Sequence, residues 1–255
     1  MPCAGKSKRM ENIDRLMADV ELSPLSGDVL RLVESQEKVA TARIVSSLER
    51  QALLEDILER SKPPLPAVGT ALHWLLATPF RYPPLRYGSR FGAPFEPSLF
   101  YGSWTHDTVF AEGAYYRLVL WYGMKVPPAH KTITEHTVFG ARYSGVGVAL
   151  QKPPFNAYRN NWRDPVSYGA TQQLGAKLRE IGALVIEYES ARDPAGGINV
   201  ALVKPEALAS HTPSWQLPCL CETSSASVTF QCEGRIYHFD REIFMVDGML
   251  PNPAN

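Results

Sequence analysis

The chain has 255 residues, of which 45% are hydrophobic and 20% are charged. This composition is ordinary for a globular protein, so it supports a packed core and excludes global disorder. Lys plus Arg total 26 and Asp plus Glu total 26, which gives a formal net charge of zero. A balanced charge excludes a global electrostatic pull toward nucleic acid or membranes, although a local basic groove stays open.

The N-terminal residues carry positive charge but no apolar stretch follows them, so the sequence predicts neither a secretory signal nor a transmembrane helix. Four cysteines in a chain of this length do not make a disulfide scaffold. We therefore expect a cytoplasmic protein with reduced thiols and no metal. A zinc site built from Cys219, Cys221, Cys232 and His238 is the weaker alternative, because the C-x-C spacing is tight.

Residues 1–65 are predicted to form a helical N-terminal extension. Apolar positions within residues 12–34 suggest two short helices broken near Pro24, and residues 41–60 show clearer helical spacing. The proline-rich run at residues 61–69 ends that helix and is typical of a linker or a domain edge. The second domain is therefore expected to span residues 66–255.

After this linker, aromatic residues, prolines and β-forming residues predominate, which predicts an α+β domain. A helix that runs into a strand is predicted over residues 104–122, and a helix over 168–181. Strands are predicted at 98–101, 138–150, 184–189 and 199–203, with a further hairpin at 228–239.

The common nucleotide-binding and hydrolase motifs do not fit. The GKS at residues 5–7 is too close to the start for a P-loop, and the GVG at 145–147 lacks the third glycine of a dinucleotide-binding fingerprint. The sequence has no G-x-S-x-G nucleophile elbow. His130 and His136 are conceivable bases, but a pair of loop histidines, one of them packed or hydrogen-bonded, is the simpler interpretation.

The most informative segment covers residues 80–117 and reads FRYPPLRYGSRFGAPFEPSLFYGSWTHDTVFAEGAYYR. Arg81, Arg86 and Arg90 lie among tyrosines and glycines. A guanidinium group can bind phosphate at two points, and a tyrosine offers a flat face for a ring. Glu112 lies in an apolar helical run, where a carboxylate is either partnered or functional. These residues indicate a phosphate-containing ligand, with structural ion pairs as the alternative.

This segment resembles the front half of a RES domain, a family named for an arginine, a glutamate and a serine. Arg81 and Glu112 match the arginine and the glutamate, and Ser190 matches the serine. GSRFG at residues 88–92 is similar to the family's Gly-Gly-Arg-Trp segment, and SLFYGS at 98–103 is similar to its strand ending in Tyr-x-Ser.

The resemblance covers roughly residues 70–205 and implies a fold similar to ADP-ribosyltransferases, with a split β-core and flanking helices. It implies that NAD⁺ is the substrate and is consumed by phosphorolysis or hydrolysis, with inorganic phosphate as a possible co-substrate and no cofactor. RES domains are the toxins of toxin–antitoxin pairs, which implies an Xre-like antitoxin as partner. The N-terminal helices lie outside the resemblance and could brace the domain, form a dimer surface or shield the cleft.

The resemblance also assigns roles to individual residues. Glu112 would stabilise the positive charge that the ribose gains as nicotinamide leaves. Arg81 would hold the pyrophosphate, and Ser190 would hydrogen-bond the nicotinamide ribose or a phosphate. Further contacts to substrate are expected from Tyr87, Arg90 and Tyr101.

Two other functions are compatible with the same residues. One is an ADP-ribosyltransferase that modifies a macromolecule, and the other is a non-catalytic interaction module on the same fold. Because every matched residue follows Gly69, we expect residues 1–60 to carry no catalytic group.

Overall fold

The computed structural model describes residues 13–18, 20–35, 47–63, 71–82 and 86–253. Its helices are α1 (13–17), α2 (Leu48–Ser61), α3 (Trp74–Arg81), α4 (His106–Gly123), α5 (Arg159–Trp162) and α6 (Gly169–Glu180). Its strands are β1 (Ser23–Glu34), β2 (Phe100–Ser103), β3 (Thr132–Ala149), β4 (Val185–Glu189), β5 (Ile198–Leu202), β6 (Trp215–Thr223), β7 (Ser227–Cys232) and β8 (Arg235–Asp240). Short 3-10 helices lie at Phe155–Tyr158, Pro205–Ala207 and Arg241–Phe244.

The eight strands form one sheet in the order β1-β2-β5-β4-β3-β6-β7-β8, and β1 also pairs with β3. This second pairing closes β1, β2, β5, β4 and β3 into a five-stranded barrel. From the edge of β3, the strands β6, β7 and β8 continue as an antiparallel meander. The predicted α+β class, with a split β-core and flanking helices, is confirmed.

The barrel and the meander meet on β3, which is 18 residues long. On one edge, residues 132–140 of β3 pair with β6, and residues 147–149 pair in parallel with β4. On its other edge, β3 pairs with β1 along the whole of β1, from Ser23 opposite Gly147 to Glu34 opposite His136. β1 is therefore a central part of the sheet.

The predicted helices within residues 12–34 are wrong for β1, although α1 does lie just before it. The side chains of β1 alternate: Val29 and Val33 pack inside the barrel, while Leu30 and Leu32 pack against α4. This period of two is typical of a strand that is buried on both faces, and short apolar runs of this kind do not distinguish a helix from a strand. The predicted helical extension therefore does not hold for residues 23–34.

The other predicted elements mostly agree with the structure. The helix predicted over 41–60 is present as α2 from Leu48, while residues 41–46 lie outside the described residues. The linker prediction falls mainly on residues 64–70, which also lie outside them. The segment at 104–122 holds one continuous helix, α4, which begins at His106 and does not change to a strand as predicted.

The described residues form three hydrophobic core clusters. One fills the barrel around Phe100 and Phe139, and a second lies between α6 and the sheet around Ile186. The third lies between α4 and the meander, where Phe110 packs against Phe230. This packing fixes α4 against the sheet and determines which of its side chains face away from the core.

The prediction that the cysteines are reduced thiols is wrong for one pair. Cys219 and Cys232 face each other on β6 and β7 with their Cα atoms 4.6 Å apart, and they form a disulfide. Adjacent antiparallel strands bring such partners within bonding distance, which the sequence separation does not reveal. Cys221 is a buried thiol whose pKa is raised by burial.

Within the described ranges, no cluster of His, Cys, Asp or Glu could hold a metal ion, and no helix is long and apolar enough to cross a membrane.

Candidate active site

A cavity of about 510 Å³ lies beside α4, between β1, β2 and the start of β3. This volume is in the range of small-molecule sites. Its charged lining residues are Arg31, Glu34, Arg90, Glu112 and Arg117, and its aromatic lining includes Tyr101, Tyr116, Tyr168 and Tyr188. A ligand with both rings and negative charge would match such a surface.

Glu112 lies in the second turn of α4 and lines the cavity. Its Oε1 atom accepts hydrogen bonds from Ser190 Oγ and from Asn199 Nδ2, both at 2.6 Å. Among the described residues, no donor contacts Oε2. The carboxylate is therefore fixed through one oxygen, and the other is available to a ligand.

Both donors to Glu112 are themselves held in place. Ser190 is fully buried, and its Oγ accepts hydrogen bonds from the backbone N–H groups of Arg192 and Asp193 at 3.0 and 2.9 Å. Asn199 Oδ1 accepts a hydrogen bond of 2.6 Å from Ser103 Oγ. A hydroxyl that accepts two bonds has its one hydrogen left for Glu112, so the carboxylate orientation is set before any ligand binds.

Arg90 provides a buried positive charge near Glu112 and is only 7% exposed. Its Nη1 donates to the backbone carbonyls of Trp162 and Asp164 at 3.0 and 3.2 Å, and its guanidinium lies over the Tyr168 ring at 4.7 Å. Burial disfavours the charge, but the neighbouring tyrosines and Glu112 outweigh burial and raise the pKa of Arg90. Arg90 is thus a permanent cation in the cavity wall.

Arg31 on β1 is a second cation in the lining, and it was missed in the sequence. Its Nη1 donates to the Tyr101 carbonyl at 2.5 Å, and its guanidinium lies 5.1 Å from the centre of the Phe100 ring. Burial lowers the pKa of Arg31 to about 10, so it stays charged at neutral pH. Its buried Nε has no hydrogen-bond partner among the described residues. A charged residue in the apolar run VLRLV was the available signal.

Tyr101 lies in the cavity wall as predicted, and it also shapes the preceding turn. Its hydroxyl is 2.8 Å from Ser89 Oγ and accepts a hydrogen bond of 3.0 Å from the Phe91 N–H. Burial raises the pKa of Tyr101 to about 12, so it is protonated at neutral pH. These contacts hold the segment that carries Arg90.

Two predicted site residues are not brought to the cavity. Arg81 ends α3, and its Nε donates to the Pro63 carbonyl at 2.5 Å. Tyr87 is 40% exposed, and the centre of its ring lies 5.3 Å from the Arg86 guanidinium. Neither Arg81 nor Tyr87 is among the described residues that line the cavity. Ser190 is not a lining residue either, because it is buried behind Glu112.

The other end of the cavity holds an ion pair between Arg117 and Glu34, with a nitrogen–oxygen distance of 2.9 Å. His136 lies opposite Glu34 on β3 and is buried. Burial and the charge of Arg117 lower the pKa of His136, which favours the neutral imidazole at neutral pH. His136 is a strand residue in the cavity wall, and not a loop residue as expected.

The α+β barrel and this fixed carboxylate, in a cavity lined by arginines and tyrosines, define a candidate small-molecule site. A family model for the RES domain matches residues 64–220, so the chain belongs to the RES-domain family. The resemblance seen in the sequence is confirmed. The matched range contains Arg90, Glu112 and Ser190 but not β1.

Among solved structures, the chain is similar to one from M. tuberculosis, the MbcT–MbcA toxin–antitoxin complex. The sequence identity is 9% and the TM-score is 0.47, and the alignment covers 82% of this chain and 91% of that chain. A search of curated proteins gave no match.

Proposed function

We propose that this protein degrades NAD⁺ by cleaving the bond between nicotinamide and ribose, and that it is the toxin of a toxin–antitoxin pair. The observation that carries the proposal is the Glu112 carboxylate, fixed by Ser190 and Asn199 and open to the cavity through Oε2. Membership of the RES-domain family supports the same reaction and the role as a toxin. An Xre-like antitoxin is the corresponding protein partner.

The chemistry fits the groups that are present. When the bond breaks, its electron pair moves to the pyridinium nitrogen, and nicotinamide leaves as a neutral molecule that needs no proton. The ribose then has oxocarbenium character, and a nearby carboxylate stabilises that positive charge. Glu112 is placed for this task, and its free oxygen can also accept a hydrogen bond from a ribose hydroxyl. Water or inorganic phosphate then attacks the same ribose carbon.

The buried arginines provide the binding site for the pyrophosphate. Arg31 and Arg90 line the same cavity as Glu112, and the Arg117 charge is already paired with Glu34. The lining carries three arginines and two carboxylates, so the cavity keeps an excess positive charge for an anionic substrate. The rings of Tyr168 and Tyr188 offer faces for the nicotinamide or the ribose.

Arg90→Lys is expected to weaken NAD⁺ binding by about 10- to 100-fold, because lysine keeps a charge but loses the planar fork and its stacking on Tyr168. Titration calorimetry on the variant measures the change. Arg81→Lys is the matched control and should bind NAD⁺ as the wild type does, since Arg81 contacts the Pro63 carbonyl away from the cavity. If the Arg81 variant alone bound NAD⁺ more weakly, the pyrophosphate contact would belong to Arg81, as the sequence predicted.

Phosphate is expected to accelerate NAD⁺ loss and to appear in the product as ADP-ribose-1″-phosphate, because the excess positive charge can hold a second anion beside the pyrophosphate. The test is NAD⁺ consumption with and without phosphate at matched ionic strength, since salt alone weakens anion binding. Equal rates of NAD⁺ consumption with and without phosphate, with free ADP-ribose as the product, would make the enzyme a glycohydrolase.

Two other outcomes would indicate the alternative functions. Transfer of the ADP-ribose group from labelled NAD⁺ to a macromolecule would indicate an ADP-ribosyltransferase, and unchanged NAD⁺ would indicate a binding module.

A further inference from the structure

The connection between β4 and β5 is a compact loop, residues 190–197, built around one buried carboxylate. The base of the loop is closed by a hydrogen bond of 2.8 Å from the Ser190 N–H to the Gly197 carbonyl. Asp193 lies inside the loop and is 7% exposed. Its Oδ1 accepts the Ala195 N–H at 2.9 Å, and its Oδ2 accepts the Gly197 N–H at 3.2 Å. The carboxylate therefore organises the loop from within.

The same carboxylate connects the loop to α4. Thr108, which is fully buried in the first turn of α4, donates from Oγ1 to Asp193 Oδ2 at 2.9 Å. Contact here is so close that a side chain at Gly197 would collide with Thr108 Oγ1 and approach Asp193 Oδ2 to 2.6 Å. A negative group at this helix end is also favoured by the helix dipole. The loop is thus seated against the N-terminal turn of α4.

Thr108 and Glu112 are four residues apart, so they lie on one face of α4 in successive turns. The loop contacts both of them, Thr108 through Asp193 and Glu112 through Ser190. The Asp193 N–H also donates to Ser190 Oγ. The position of the Ser190 hydroxyl relative to Glu112 therefore depends on how Asp193 holds the loop to the helix.

We propose that Asp193 is a positioning residue that fixes the Ser190 loop on α4 and so sets the hydrogen bond between Ser190 and Glu112. Its effect on catalysis rests on the proposed cleavage of NAD⁺. An amide cannot replace the carboxylate, because Asp193 accepts three donors and an amide nitrogen would face one of them. Displacement of Ser190 would leave the cavity and its arginines in place while Glu112 loses its orientation.

The test uses two variants of the full chain that disturb the same carboxylate: Thr108→Val removes its bond to α4, and Asp193→Asn places an amide nitrogen against one of its three donors. Each is expected to lower kcat by about 10- to 100-fold, the size of effect expected from an ångström-scale misplacement, while the dissociation constant for NAD⁺ stays at the wild-type value. The double variant should lose less than the two single variants would lose together if they were independent, because both act through the Asp193 carboxylate. Asp107→Asn is the matched control: it removes an exposed carboxylate from the same end of α4 without touching the loop, and it should keep wild-type kcat.

A folded Thr108→Val protein with wild-type kcat would overturn the proposal. So would an equal loss of binding and turnover, because that indicates a general structural role. Thr108→Val removes a single hydroxyl, so it decides the matter even when Asp193→Asn does not fold. If the wild type does not consume NAD⁺, the proposed function fails, but the positioning role of Asp193 can still be tested. Crystal structures of Thr108→Val and the wild type then decide it. The distance from Ser190 Oγ to Glu112 Oε1, 2.6 Å here, should lengthen beyond about 3.5 Å, and an unchanged distance would refute the positioning role.

Discussion

Glu112→Gln is expected to give a folded protein that still binds NAD⁺ and turns it over about 10²- to 10³-fold more slowly. The glutamine oxygen can accept the hydrogen bonds of Ser190 and Asn199, which leaves its NH₂ group facing the cavity. The shape is kept and the negative charge is lost. The effect should therefore fall on the transition state, where the ribose is positive, and not on the ground state.

The measurements are kcat, the dissociation constant for NAD⁺ and the melting temperature of the variant. Glu34→Gln is the matched control, since it removes the other carboxylate of the same cavity without contacting Ser190 or Asn199. The kcat of Glu34→Gln should stay close to the wild-type value, because a surface ion pair contributes little free energy. In cells, expression of the wild type should deplete NAD⁺ and stop growth, while the Glu112 variant should not. Near-normal turnover by Glu112→Gln would remove Glu112 from the mechanism.

A chain that begins at Lys62 is expected to be insoluble or unfolded, and so to have no activity. It lacks β1, which pairs with β3 over its whole length and closes the barrel. It also lacks Val29, which is fully buried in the barrel core, and Arg31 in the cavity wall. Unpaired strand edges and exposed apolar surface favour aggregation. This expectation reverses the one from the sequence, which placed no functional group before residue 60.

Soluble yield, circular dichroism and NAD⁺ consumption test the truncation. A chain that begins at Asn12 is the control, because it retains α1, β1 and their packing on the sheet, and it should be folded and active. A soluble, cooperative and active protein starting at Lys62 would show that the domain can close without β1.

The sequence was most informative where a residue conflicts with its local surroundings. Glu112 stands out because a carboxylate interrupts an apolar helical run, and the structure shows that it is partnered and faces a cavity. Arg31 gives the same signal within β1. It was missed because the segment was interpreted as helical and because the residues that carry the family resemblance lie downstream. Asn199, a polar residue in the apolar strand β5, is a comparable case.

Other features depend on contacts that no local pattern contains. Arg81 and Arg90 lie in the same arginine-rich segment, and only the folded chain shows that Arg90 is buried beside Tyr168 while Arg81 ends α3. The buried Arg90 guanidinium donates to backbone carbonyls of α5 and of the loop that follows it, and these carbonyls are distant in sequence. The pairing of β1 with β3 is likewise non-local and cannot be read from either segment alone.

The pairing of β1 with β3 also determines when the barrel can close during synthesis on the ribosome. β1 is made before β3, and the residues of β3 that it pairs with follow more than a hundred positions later. At synthesis rates of about 5–20 residues per second, β1 waits roughly 5–20 s for its partner strand. Ser190 and Asn199 are made later still, so the carboxylate of Glu112 has no fixed orientation in a nascent chain. Chains that end before residue 199 therefore lack the hydrogen bonds on which the proposed activity depends.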